Sequence, residues 1–137
     1  IYCTSRLKNA NYFKKFMWSL DIQKDKKINY KPRQFISKSL SSESNISLSN
    51  QLLNGLNYTY LEALYFNLPL VHNSEYIKSA GYYYPEYDTQ KGAEALRLAL
   101  TYHDNNIEEY KKQSQIIINR YSPENPFVIA EYKKLLS

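Results

Sequence analysis

The stretch Asn57-Tyr-Thr-Tyr-Leu-Glu-Ala-Leu-Tyr-Phe66 followed by Asn67-Leu-Pro-Leu-Val-His72 decides how this chain folds. Asn57 is a residue type that caps helix starts, and residues 58–66 after it place Leu61, Leu64 and Tyr65 on one helical face. Residues 68–72 are a short apolar run, which reads as a buried strand. A helix that feeds within a few residues into a buried strand is the repeating unit of a parallel sheet.

The flanking segments continue the pattern. Upstream, residues 45–50 alternate Ile46 and Leu48 with serines, a short strand bounded by polar turn formers. Downstream, Ser74 is placed to cap a brief helix through Ala80, Gly81 suits its stop, and residues 82–84 form an extended run halted by Pro85. Three helices are expected after that. Asp88 caps residues 89–102, where Leu96, Ala99, Leu100 and His103 share a face; Asn105 with Glu108 resembles a capping box for a helix through Tyr121; Asn125-Pro126 opens a terminal helix to Leu136.

Nearer the start, residues 9–20 carry Phe13, Phe16, Met17 and Leu20 at helical spacing. Residues 21–31 are lysine-rich without an apolar period and read as a loop. Residues 33–40 are ambiguous between strand and helix, and 41–44 form a polar connector. Ile1-Tyr2-Cys3 reads as the start of a buried strand, which suggests a domain taken from a longer protein. Together these predict an α/β fold, Rossmann-like, with a mainly parallel sheet covered by helices on both faces and one domain over residues 1–137.

Composition narrows the function classes. The 137 residues, 43% apolar and 23% charged, are one globular domain's worth, and no apolar run approaches a membrane span. The single Cys3 permits no internal disulfide, which with the absence of a leader predicts a cytoplasmic protein, and two distant histidines argue against a structural metal site. Fifteen tyrosines have two readings: codon choice in an AT-rich genome, or an aromatic binding surface. The net charge of +5 raises a nucleic-acid reading. The positives, however, lie in separate segments (Lys14-Lys15, Lys24 to Lys27, Lys111-Lys112, Lys133-Lys134), each beside acids or on a solvated helix face.

In an open α/β sheet, ligands bind beyond the carboxyl ends of the strands. That directs attention to residues 4–9, 49–58 and 72–75. In the middle loop Gln51, Asn54, Gly55, Asn57 and Tyr58 bring amides and a flexible glycine to a helix start, where free backbone N–H groups and the helix dipole suit a phosphate. Glu62 lies one turn beyond Tyr58 on the same side, where a carboxylate can accept a hydrogen-bond pair from a ribose diol; the alternative is a solvated helix glutamate. His72 reads as a satisfied core or edge histidine, and no Gly-rich phosphate loop or nucleophile–histidine pair can be assembled.

The run from Asn57 to Asn73, with Glu75, Ala80-Gly81, Pro85 and Asp88 after it, resembles the donor-binding half of GT-B glycosyltransferases: Glu62, Pro69, Glu75, Gly81 and Asp88 fall in that pattern in order. Its Pro-Leu-Val-His-Asn version is most similar to a group of glycosyltransferase-like proteins, the DUF2827 family. Ser5-Arg6-Leu7 is similar to the Gly-Arg-Leu whose arginine contacts the donor diphosphate. The resemblance therefore implies a nucleotide-sugar site made by Arg6, Asn54, Asn57, Tyr58 and Glu62, with Glu62 on the ribose and Asn54 standing where retaining members carry a first glutamate. It also implies no metal or other cofactor, a partner N-terminal lobe of the same protein, and glycosyl transfer by the two lobes together, the isolated domain being inactive. The rival readings are a non-catalytic binding module of the same fold and a basic nucleic-acid-binding domain.

Overall fold

The computed structural model describes residues 6–32 and 46–136. The expected strand at Ile1 to Cys3, the ambiguous segment 33–40 and the connector 41–44 lie outside them. The chain divides into two compact units, residues 1–43 and 44–137.

In the second unit, β1 (Ser47–Leu48), β2 (Leu70–His72) and β3 (Tyr82–Tyr83) form a parallel three-stranded sheet in the order β1-β2-β3. Ser47 aligns with Leu70 and Leu48 with Val71, while Val71 aligns with Tyr82 and His72 with Tyr83. The helix predicted from the opening stretch is α3 (Tyr58–Tyr65); α4 (Thr89–Tyr102), α5 (Ile107–Arg120) and α6 (Pro126–Leu136) follow the sheet.

Every side chain of β2 is buried, because alternate residues face opposite layers. Leu70 packs with Tyr60, Ala63 and Leu64 of α3, Ile77, and Tyr110 and Ile117 of α5. Val71 packs on the other face with Tyr84 and with Ala95 and Ala99 of α4. Each such buried aliphatic contributes on the order of 1.5–3 kcal/mol.

Several local expectations hold. Asn57 Oδ1 accepts from the Thr59 N–H at 3.0 Å, Asp88 Oδ1 from the Lys91 N–H at 2.9 Å and Asn125 Oδ1 from the Phe127 N–H at 2.9 Å. Gly81 sits at φ +74°, in the left-handed region its place at a turn requires.

Other expectations are corrected by packing. On α3 the buried face is Tyr60, Ala63 and Leu64, and Tyr65 points outward against Phe66. On α4, Ala99 and His103 are buried and Leu96 packs against the core as expected, but Leu100 is exposed and Ala95 takes its place against the sheet, with Gly92 beside Tyr84. The capping box is not made: Asp104–Asn106 forms a 3-10 turn, α5 starts at Ile107, and Asn106 gives no side-chain cap. Ser74 caps nothing, since its hydroxyl donates to the Gly55 carbonyl, and the brief helix is a 3-10 turn, Glu75–Ile77. The terminal helix α6 forms as expected, with no buried side chain.

In the first unit a 3-10 turn (Leu7–Asn9) leads into α1 (Asn11–Trp18) and α2 (Asp21–Lys24). Met17 is buried and Phe13 half-buried against Tyr30, edge-on at 5.7 Å, whereas Phe16 points to solvent. The segment read as a loop thus contains one helical turn, closed by backbone hydrogen bonds from Lys24 N–H to Leu20 O and Asp25 N–H to Asp21 O, with an exposed Lys24–Asp21 pair beside it.

Candidate functional site

The carboxyl ends of the three strands open into residues 49–57, 73–75 and 84–88, and one side chain ties them together. Asn73, the first residue after β2, accepts from the Gln51 N–H at 2.7 Å through Oδ1. Its Nδ2 donates to Asn50 Oδ1 (2.9 Å), Gln51 O (3.0 Å) and Glu86 O (2.6 Å). A primary amide is suited to this task because it carries acceptor and donors on one rigid plane.

Beneath that hub lies a layer of hydroxyl contacts. Ser49 Oγ and Tyr60 OH are hydrogen-bonded at 2.8 Å, Gln51 Nε2 donates to Ser49 Oγ at 3.2 Å, and Tyr84 OH donates to Ser49 O at 2.9 Å. The Gln51 side chain is therefore turned inward. Gly55 is a glycine for space rather than for flexibility: a Cβ there would lie 2.6 Å from Tyr76 Cδ2.

His72 is fully committed to the scaffold. The Ser74 N–H donates to Nδ1 at 3.1 Å, so the ring hydrogen is on Nε2 and is donated to Ala80 O at 2.8 Å. Burial, opposed in part by the Ala80 bond, holds its pKa below the ordinary value. It is a neutral structural histidine with no free nitrogen to act as a base.

Glu75 and Tyr83 form the charged edge of this end of the sheet. The Tyr83 hydroxyl donates to Glu75 Oε1, and Lys78 Nζ stands 3.2 Å from Oε2. That phenol, more than the lysine, holds the Glu75 carboxyl below its usual range, and the carboxylate in turn pushes Tyr83 up to about 12. At neutral pH the pair is a carboxylate and an intact phenol.

The residues singled out from sequence are distributed as follows. Asn57, Tyr58 and Glu62 occupy the first turns of α3. Tyr58 and Glu62 are exposed, about 6 Å apart along the axis at the standard rise, and no hydrogen bond or ion pair engages the Glu62 carboxylate among the described residues. The Asn57 side-chain oxygen is used to cap the helix. Asn54 is exposed in the loop after β1 and likewise unengaged. Arg6 belongs to the first unit, where it is exposed before the 3-10 turn.

Sequence reading placed Ser49, Asn73 and Glu75 in loops at this end without giving them these roles, and missed Tyr60, Tyr83 and Tyr84. Only Asn73 carried a signal, an amide placed directly after the apolar run of β2. Among the described residues no three His, Cys, Asp or Glu side chains converge as a bound metal ion would need. No helix among them is long and apolar enough to cross a membrane.

A family model described as "Protein of unknown function (DUF2827)" matches residues 1–136. No curated protein and no solved structure matches the chain.

Proposed function

The chain belongs to the DUF2827 family, and with that as premise we propose that it is the nucleotide-sugar-binding, C-terminal lobe of a GT-B type glycosyltransferase. One observation carries the reading. An exposed, unengaged carboxylate, Glu62, stands one turn into the helix that follows β1, beyond the carboxyl end of a parallel sheet. Ligands of open α/β sheets bind there, and a carboxylate so placed accepts both hydroxyls of a ribose.

In this reading Glu62 holds the ribose, Tyr58 offers its ring beside the nucleoside, and Asn57 and Asn54 offer side-chain amides to the sugar and phosphates. Arg6 neutralises the diphosphate, and its charge stabilises the leaving group as the glycosidic bond breaks. Residues 1–137 act as one donor-binding domain in the cytoplasm, and an N-terminal lobe of the same protein brings the acceptor. Asn54, in the place of a glutamate, specifically favours a non-catalytic relative of the same fold. Assaying transfer by the complete two-lobed protein separates the two, because tight donor binding without turnover fits only the second.

The site itself is tested by ligand-observed NMR with a panel of nucleotide-sugars on wild type, Glu62→Ala and Arg6→Ala. Loss of a charge-assisted hydrogen bond should weaken a bound donor by about tenfold to hundredfold in either variant. A donor that binds all three proteins equally places the site elsewhere.

A further inference from the structure

The two units differ sharply in charge. Residues 1–43 hold ten Lys or Arg against three Asp or Glu, whereas residues 44–137 hold eight against ten. In the second unit every lysine but Lys133 is paired with a glutamate three residues away, as a solvated helix surface arranges its charges. In the first, Lys24 and Lys27 pair with Asp21 and Asp25, and no carboxylate lies against Arg6, Lys8, Lys14, Lys15, Lys26 or Lys31 among the described residues. Of the clusters expected beside acids or on a solvated helix face, the Lys24 to Lys27 run is thus the one beside acids, and Lys14-Lys15 is the one on a helix.

The same unit leaves bulky rings in water. Tyr12, Phe16 and Trp18 are 69%, 61% and 68% exposed, with Leu7 and Ile22 also exposed. Tyr12, Lys15 and Phe16 fall at i, i+3 and i+4 on α1, one outward side of the helix. Lys8 and Lys14 line a shallow open pocket with Trp18, Phe13 and Tyr30, and Lys14 is half-buried in it with no carboxylate against it among the described residues.

We propose that the exposed side of α1, made by Tyr12, Lys15, Phe16 and Trp18, docks on an anionic phospholipid bilayer, the chain lying on the surface with headgroup phosphates drawn to Lys15. Charge complementarity commits the face to an anionic partner, since unpaired lysines are attracted to a negative leaflet without needing a fixed geometry. Trp and Tyr rings are at home at headgroup depth, where one end is apolar and the other wet. A single-stranded nucleic acid would also take cations and rings. Two observations favour lipid: exposed aliphatic Leu7 and Ile22 gain from an acyl boundary and nothing from a base, and five of the six unpaired cations are lysines, whereas fork-like phosphate recognition draws on arginine.

Trp18 is the only tryptophan, so its fluorescence reports docking directly. The full chain is titrated with vesicles of phosphatidylcholine alone, and of phosphatidylcholine with roughly one third phosphatidylglycerol. The expected result is a blue shift and co-sedimentation with the anionic vesicles only, both weakened by salt. Lys15→Glu should lower the partition coefficient by at least about fivefold, and Phe16→Ser should lower it while leaving the salt dependence unchanged. Both positions are exposed, and circular dichroism checks that both variants stay folded. No response to anionic vesicles at low salt, or an equal response to neutral ones, overturns the proposal. A Trp18 shift produced by a single-stranded oligonucleotide without vesicle binding also overturns it, in favour of nucleic acid.

Discussion

Residues 6–32 and residues 46–136 both leave aromatic rings in water, but among the described residues only the larger unit also buries some of them. There three tyrosines are structural. Tyr60, Tyr84 and Tyr110 are buried rings whose hydroxyls reach Ser49 Oγ, Ser49 O and Leu68 O respectively, and Tyr82 OH meets His103 Nδ1 at 3.2 Å. In the smaller unit Tyr12, Phe16 and Trp18 face water, and Met17 is the one buried side chain among the described residues. The difference lies in architecture. A parallel sheet has two faces to cover, and covering both creates interior volume that large rings with polar tips can fill while remaining hydrogen-bonded. A single helix followed by one extra turn creates almost none.

That comparison can be broken most directly at the sheet. Leu70→Ala should destabilise the larger unit by about 2–5 kcal/mol, read from urea denaturation, because it opens a cavity between α3, α5 and β2. Phe16→Ala should change stability by no more than about 0.5 kcal/mol, as exposed positions do. Comparable losses from both would mean that the smaller unit has a core of its own around Phe16.

Backbone substitutions give a smaller and sharper contrast. Gly81→Ala should cost about 1–3 kcal/mol, since the residue is left-handed and a Cβ would stand 2.8 Å from Leu70 O. Gly92→Ala, inside α4 with the Tyr84 ring at an ordinary 3.5 Å, should stabilise by about 0.5–1 kcal/mol. Thermal melts of the two variants should move in opposite directions, and a loss in both would mean that α4 lies too close to Tyr84 to admit a Cβ at Gly92.

The smallest expected effect is a pH dependence confined to the larger unit. His72 titrates lower in the folded chain than its ordinary 6.5, so near that pH the unfolded state binds more protons. Its contribution is complete above about pH 6.5 and is lost as pH falls through the depressed folded value. Urea midpoints measured between about pH 7.5 and about pH 5.5 should fall, ahead of any carboxylate titration. Trp18 fluorescence, which reports on the smaller unit, should hold steady over the same range. Flat midpoints would mean that the His72 ring is accessible and charges freely.

What was legible in the sequence was what is decided within a few residues. The caps at Asn57, Asp88 and Asn125 bond to amides two or three positions on, so no distant partner can overrule them. Ser74 has the same chemistry, yet its hydroxyl is taken by Gly55 O, nineteen residues away. The apolar face of α3 was displaced for a similar reason: the Tyr60 ring joins the core, and its hydroxyl is hydrogen-bonded to Ser49 Oγ at the end of β1, eleven residues away. At the candidate site, Glu62 and Tyr58 could be singled out from their helical spacing and from the family pattern. Asn73 could not be recognised as the hub, because Gln51 and Glu86 are brought to it only by the pairing of three strands.

By itself, then, the sequence determined the alternation of short apolar strands with capped helices, and with it a parallel α/β sheet, because period and capping are local properties of the chain. Tertiary structure alone decided which faces those helices buried, since that depends on how closely each can approach the sheet. It also decided which polar side chains were used up in the scaffold and which, like Glu62, were left facing outward, because a hydrogen bond is made only once the fold has supplied its partner.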